Sequence, residues 1–545
     1  MRASRLSLAA WFALAVAAHA EPCGTVVLPS GLGASSPNPV TGLNPLIGSS
    51  LANGEIENVI FRPVLWVGRQ ADVDWSLSIA TSVDVSDDGL TWHVAMGDWR
   101  WSDGAPITAD DVAYCLEMIR RMGDLWPGKG YGDMPDVIRS LDVTGPRSFD
   151  VTLAHPTSRR GFLLNGLSAL VPLPRHAWRD ASVDEMWRRQ TDLSFFDVVS
   201  GPYKVTRLEL GRYATLEANP AYSGPVKPAV ERVVVSFLEG ENDLRALEAG
   251  EIDAADVPLA LWEAATALPG LRVVEPPQGY SFNYIGLNFQ NPAVSFFGDL
   301  RVRQAMADAI DPARVISLAY HGQGYDMRGP VPPQLASLLG AEAPRETVRF
   351  DPERARRLLD EAGWAPGADG VRRKDGRRLS FTLIAATELP AQALVDQIVQ
   401  RELAEIGVEM RVEEMAFTQL LALIYGPKSG FEAFHILLFF GPWPDGGPMF
   451  GTGGANNNGG WSDARMDEIG ARMHVSDDAA LLREYQEYVG AEQPVIFLPD
   501  EKVVLLARPG LEGLADFLYP NGTWAPENLR LAGDKECDAR RHQPS

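Results

Sequence analysis

A chain of 545 residues, 46% apolar and 22% charged, can bury a large core, which excludes compositional disorder and points to two or three structural units. Its formal charge of −23 argues against nucleic acid or an anionic membrane as a partner. Beyond the leader, no stretch is apolar for long enough to make a transmembrane helix, so stable membrane insertion is not expected.

The chain opens with "MRASRLSLAAWFALAVAAHA", in which Arg2 and Arg5 precede an apolar run from Leu6 to Ala18 and a small-x-small ending. Basic, apolar and small in that order is the pattern of a secretory signal peptide, residues 1–20, cleaved after Ala20. The apolar run is shorter than the roughly 20 residues that a membrane span needs. Glu21 and Pro22 stand before Cys23 where a lipoprotein would carry small residues, so the reading is a soluble exported protein located in the periplasm. Loss of Arg2 and Arg5 takes the formal charge from −23 to −25. Three cysteines fit no zinc spacing. In an oxidising compartment, Cys23 and Cys537 either tie the two ends together or stand as free thiols, and Cys115 reads as a core residue.

In "ITADDVAYCLEMIRR", Thr108 as N-cap with Asp111 three residues on makes a capping box, and Val112, Cys115, Leu116 and Ile119 form one apolar helix face. Asp110 and Asp111 therefore serve the helix start and are not a catalytic pair. "ERVVVSFLEG" reads as a strand, 241–248 as a helix and "EIDAADV" as a short strand. "DLRVRQAMADAIDPARVISLAY" encodes two helices capped by Asp299 and Asp311, with Arg301 and Arg303 assigned to solvent or inter-helix pairing. "DPERARRLLDEAGW" starts at Asp351 and stops at Gly363. From Leu379, the segments "LSFTLIAA", 391–406, "VEMRVEEM", 417–424 and "FHILLFF" alternate strand and helix, the signature of a mostly parallel α/β sheet. His435 inside the last strand reads as a packed core histidine. Linker signals lie at 273–284 and 492–500.

Directly after that last strand comes "GPWPDGGPMFGTGGANNNGGW", residues 441–461. It holds no Lys and leads into no GK-started helix, so it is not a phosphate loop. Ligands of open α/β sheets gather at the carboxyl ends of strands, which makes the loop a binding candidate by position. No G-x-S-x-G elbow and no H-E-x-x-H spacing occurs, so no catalytic residue, cofactor or metal ligand is assigned.

Eight segments in order carry a family resemblance: "LNPL", "VSDDGLTWHVAMGDWRWSDGAPITADDV", "SGPYKV", "ALEAGEIDAADV", "YIGLNFQNP", "DLRVRQAMADAID", "FDPERARRLLDEAGW" and the Trp/Asp/Pro/Gly loop. The chain resembles the bacterial extracellular solute-binding proteins of family 5, the dipeptide, oligopeptide and nickel-type periplasmic receptors of ABC importers. The resemblance implies an α/β fold of the two-lobed periplasmic binding protein type (type II, large cluster), with an inserted subdomain and a hinge that closes on ligand. It places lobe I at 21–278 with the insertion at about 62–195, lobe II at 279–489 and a return to lobe I at 490–545. Implied partners are a small peptide or peptide-like ligand and the permease subunits, with the receptor a monomer.

Where relatives usually carry Leu-Arg in the signature, this chain has Ala95-Met96. In peptide-binding relatives an Asp of the loop pairs with the ligand's α-amino group. Aligning Trp443-Pro444-Asp445 with the family's Tyr-Pro-Asp puts Pro442 at that anchor, whereas a shift of three hands the role to Asp445. Without the anchor, an N-blocked peptide, opine-like conjugate, oligosaccharide or metal chelate becomes a candidate cargo. Trp443, Trp461 and Tyr280 are candidates to stack on a ligand, Trp126 and Tyr131 match a region that supplies an aromatic contact, and Asn283 and Asn456 are candidate polar contacts. An exported hydrolase on a related scaffold and a binding module that feeds a sensor are the alternatives.

Overall fold

The computed structural model describes residues 21–33, 40–48, 51–178, 181–237, 242–340, 350–387, 389–426, 430–439, 441–444, 446–533 and 537. The leader at 1–20 and Asp445 lie outside the described residues, as does the side chain of Tyr131.

Local signals become elements where the sequence places them. The helix Ala109–Met122 starts at Thr108 with the capping box to Asp111 formed, and buries Val112, Cys115, Leu116 and Ile119. Asp299 caps Leu300–Ala309, Asp311 caps Pro312–Ala319 and Asp351 caps Pro352–Glu361, each accepting backbone N–H groups of the first turn. Beyond the last of these, Gly363 has φ +84°, a left-handed stop that costs a side-chain-bearing residue strain. Arg301 is held by Asp299 and the Glu361 carbonyl. Arg303 is buried between the Phe297 carbonyl and Glu492, which is an inter-helix role.

The first lobe is built on a four-stranded sheet in the order Cys23–Pro29, Val230–Ser236, Tyr213–Ala218, Tyr203–Glu209. Its first pair is parallel and the others antiparallel. A second four-stranded sheet, antiparallel throughout, runs Ala80–Val85, Thr91–Met96, Ser148–Leu153, Ile138–Gly145 and carries the Ala109–Met122 helix. One apolar core joins both sheets. Within it, the fully buried Arg62 guanidinium pairs with buried Glu527 and lies 4.2 Å from the Trp66 ring centre.

The second lobe centres on a five-stranded sheet in the order Glu409–Met415, Ser380–Ala386, Ala433–Phe439, Ser281–Leu287, Val495–Leu498. The first three strands are parallel, as the strand-helix alternation predicts, and the other two join antiparallel. Every residue of Ser281–Leu287 is buried, as expected of a central strand covered on both faces. His435 is fully buried on its strand, and its Nδ1 lies 2.8 Å from an Asp396 carboxylate oxygen.

Two segments pass between the lobes. Arg272–Val274 and Leu505–Ala507 pair in a small sheet with Ala254–Asp256, whereas Ser281–Leu287 and Val495–Leu498 belong to the five-stranded sheet. Gln278 ties the passages together: its side chain donates to the Val503 carbonyl at 3.0 Å and accepts from the Val503 N–H at 2.7 Å. Cys23 and Cys537 form a disulfide that joins the chain ends, and Cys115 is buried, its thiol pushed up to about 12 by burial. Among the described residues no helix is long and apolar enough to cross a membrane.

Candidate functional site

The strand Ala433–Phe439 delivers the chain to the lobe junction, where 441–444 meet the first lobe and Gly447–Phe450 form a short helix. Trp443 is 5% exposed and faces Asn165 of the first lobe. The Asn165 amide donates to the Trp443 carbonyl at 3.1 Å and its oxygen accepts from the Trp443 N–H at 3.4 Å. Asn165 sits in a single π-helical turn, Phe162–Gly166, a geometry that redirects side chains and is frequent at functional sites. Gly441 permits the approach: a Cβ there would lie 2.7 Å from the Asn165 side-chain oxygen.

Around this contact a cavity of about 40 Å³ is lined by Gly132, Asn165, Phe282, Leu438, Trp443, Pro448, Asn456 and Tyr485, among others. Small-molecule pockets usually occupy roughly 300–1,000 Å³. The space between the lobes is narrower than such pockets, and the Asn165–Trp443 hydrogen bonds bridge it. A void of about 20 Å³ continues past Gly161 and Trp443 to Ser158 and His474. Another of about 10 Å³ lies among Tyr284, Phe434, Asn456, Asn457, Asn458 and Trp461. The described walls offer aromatic faces, amides and backbone groups, a chemistry suited to holding a small polar solute out of water.

Further bonds cross the junction. The Ser158 N–H donates to the His474 carbonyl at 2.7 Å, the Arg160 N–H reaches Asp477 at 3.0 Å, and the Ser158 hydroxyl donates to Asp477. On the hinge side the Ala71 N–H donates to the Tyr280 hydroxyl at 3.2 Å.

Of the residues singled out in the sequence, Trp443 and Asn456 line the main cavity, and Asn456 and Trp461 line the smaller void. The Trp461 N–H donates to Asn457, so this indole also closes its own loop. Tyr280 does not face the cavity; its ring is buried where the first lobe meets the hinge, and burial pushes its hydroxyl up to about 12. Trp126 belongs to the first-lobe core, its ring packed on Gly128. Asn283 is buried in a polar cluster, donating to the Tyr320 hydroxyl at 3.3 Å and to Asp500 at 3.4 Å. Burial on a central strand is the reason in its case: the side chain points between layers, where only fixed polar partners satisfy it. The sequence reading missed Asn165, Phe282 and Tyr485. Asn165 had a signal, a lone amide in the apolar run "GFLLNGLSAL".

A family model, "Bacterial extracellular solute-binding proteins, family 5 Middle", matches residues 75–458. The chain is 25% identical over 501 residues to the oligopeptide-binding protein AppA of Bacillus subtilis, covering 89% of this chain and 86% of that protein. The structure of AppA in complex with a nonapeptide superposes with a TM-score of 0.75 at 23% identity, covering 94% of this chain and all of that one. NikA from Brucella suis, in complex with Fe(III)-EDTA, gives 0.76 at 20% identity over 93% of this chain and all of that one. These likenesses agree with the two-lobed architecture and the residue motifs, and the chain belongs to the bacterial extracellular solute-binding proteins of family 5.

Proposed function

We propose that this protein is the periplasmic receptor of an ABC importer that captures a peptide or peptide-like small solute between its lobes and delivers it to the membrane permease. The observation that carries the reading is the cavity at the lobe junction, with the second-lobe Trp443 seated against the first-lobe Asn165. A cleft that closes this way removes water from cargo and presents an occupied surface to the permease. Trp443, Asn456 and Trp461 serve as cargo contacts, together with Asp445 of the same loop and Tyr131 of the first lobe, while Tyr280, Trp126 and Asn283 support the walls. Residues 1–20 are the cleaved export signal, 21–278 and 490–545 form one lobe, 279–489 the other, and the receptor acts as a monomer.

A second reading, a non-peptide cargo such as an opine-like conjugate, oligosaccharide or metal chelate, is favoured by one observation: Pro442, which one of the two alignments of the loop puts at the amine anchor of peptide binders, is buried. Mass spectrometry of small molecules released from the purified, denatured protein tests both. Peptides with free amino termini support the first; blocked or sugar-like cargo supports the second. Turnover of a candidate cargo into products would overturn the receptor reading itself.

A further inference from the structure

Asp133, His155 and His474 converge at the outer end of the lobe junction. Asp133 and His155 belong to the first lobe, His155 just after the strand Ser148–Leu153, whereas His474 follows the second-lobe helix Ala464–Met473. The His474 Nε2 lies 2.7 Å from one Asp133 carboxylate oxygen, and the His155 Nε2 lies 3.8 Å from the same oxygen. The imidazole centres are 5.5 Å apart, and one ligand atom from each residue can be chosen so that all lie within 4.8 Å of one another. Among the described residues this is the one such group of three or more.

We propose that these side chains form a site for a divalent first-row transition cation, of which Zn²⁺ is the best match, and that the site is complete only when the lobes are closed. Donors of a tetrahedral zinc ion at about 2.1 Å stand roughly 3.4 Å apart, a spacing inside the range that the three side chains span. Two imidazole nitrogens and one carboxylate suit zinc and its neighbours, whereas calcium and magnesium take oxygen alone. The His155 Nδ1 lies 3.4 Å from the Pro156 carbonyl; an N–H there donates to that oxygen and leaves Nε2 as the bare nitrogen on the side of Asp133. That is the outer hydrogen bond that orients metal-binding imidazoles. The backbone of His474 is anchored to the first lobe, its carbonyl accepting the Ser158 N–H at 2.7 Å. Asp133 and His155 are about half exposed, so water reaches the fourth position.

Because each lobe supplies part of the donor set, the cation binds the closed form and favours it by mass action. A free cation concentration about nine times its dissociation constant multiplies the closed-to-open ratio roughly tenfold. By linkage, cargo that closes the lobes tightens the cation in return. His474 also lines the void that continues from the cargo cavity past Trp443, so the cation site adjoins that cavity.

Isothermal titration of the full-length mature protein with ZnCl₂, with small-angle scattering of the same samples, tests the proposal. The expected result is one ion per chain, a smaller radius of gyration with zinc than with EDTA, and at least tenfold weaker binding in His155→Ala and in His474→Ala. His155 is exposed enough that its loss should leave the fold intact, checked by circular dichroism. Using these variants as the comparison removes the background of the exposed pairs His93–Asp150 and His176–Asp103. No binding at millimolar zinc, or binding in both variants as tight as in the unmodified protein, would overturn the site. Zinc binding without compaction would overturn its dependence on closure. Compaction that follows pH alone and ignores zinc and EDTA would reduce the cluster to an ion pair.

Discussion

Asn165 and Trp443, 278 residues apart, exchange two hydrogen bonds across the lobe junction. Leu164, next to Asn165, packs in the same apolar cluster as Trp443, so the pair sits where the lobes already touch. Trp443→Ala removes an aromatic wall and is expected to weaken cargo capture at least tenfold, about 1.4 kcal/mol. Asn165→Ala removes the latch and is expected to expand the cargo-free protein in small-angle scattering. Unchanged affinity in the first variant would take Trp443 out of the site.

Glu527→Ala strands the Arg62 guanidinium in the first-lobe core, where both side chains are almost completely inaccessible. An uncompensated buried charge costs about 3–5 kcal/mol, far more than the intact pair contributes. Urea unfolding should show the loss in the midpoint, with Glu527→Gln milder because it keeps an acceptor.

In the second lobe, Asp396→Ala leaves the buried His435 ring without its 2.8 Å partner. An unsatisfied buried polar group costs about 1–3 kcal/mol. The same unfolding measurement should separate this from Asp396→Asn, which retains an oxygen for the ring.

Reduction of Cys23–Cys537 frees both chain ends. A lost cross-link of this kind costs about 2–4 kcal/mol. Thermal unfolding with and without reductant should show a lower transition in the reduced protein, and Cys537→Ser should be insensitive to reductant.

Three carboxyls near the lobe passages, Asp500 buried and Asp256 and Glu501 partly so, set a pH dependence. Burial raises Asp256 and Glu501 to about 7 and Asp500 to about 6, the last despite hydrogen bonds from Ser281 and Tyr325. The folded protein keeps these protons over a range where the unfolded chain, titrating near 4, has released them. Stability therefore falls as pH rises from about 4 to about 7. Carboxylates held low act in the opposite sense: Asp369, lowered to about 2 mainly by its hydrogen bond from Arg378, contributes stability that is lost as pH falls below about 4. Denaturation midpoints are expected to be higher at about pH 5 than at about pH 8, and Asp500→Asn with Glu501→Gln should flatten the difference.

Caps and periodicity are legible in sequence because they act within a few residues. Asp299, Asp311 and Asp351 bond to N–H groups two or three positions on, and the face of Ala109–Met122 repeats at helical spacing. The alternation from Ser380 to Phe439 likewise encoded three parallel strands. The position of the Gly/Asn loop after the last strand marked it as a binding candidate for the same reason, since strand order and loop placement are adjacent in the chain. What only the tertiary structure decided lies between distant segments. Ser281–Leu287 inserts between Ala433–Phe439 and Val495–Leu498, which buries Asn283 in a polar cluster and leaves Tyr280 at the hinge. Asn165 reaches Trp443, Ser158 reaches Asp477, and His474 reaches Asp133 only because the two lobes meet along one surface. No local preference encodes such pairs: they depend on side-chain packing between segments far apart in the chain, so composition and spacing carry no trace of the partner.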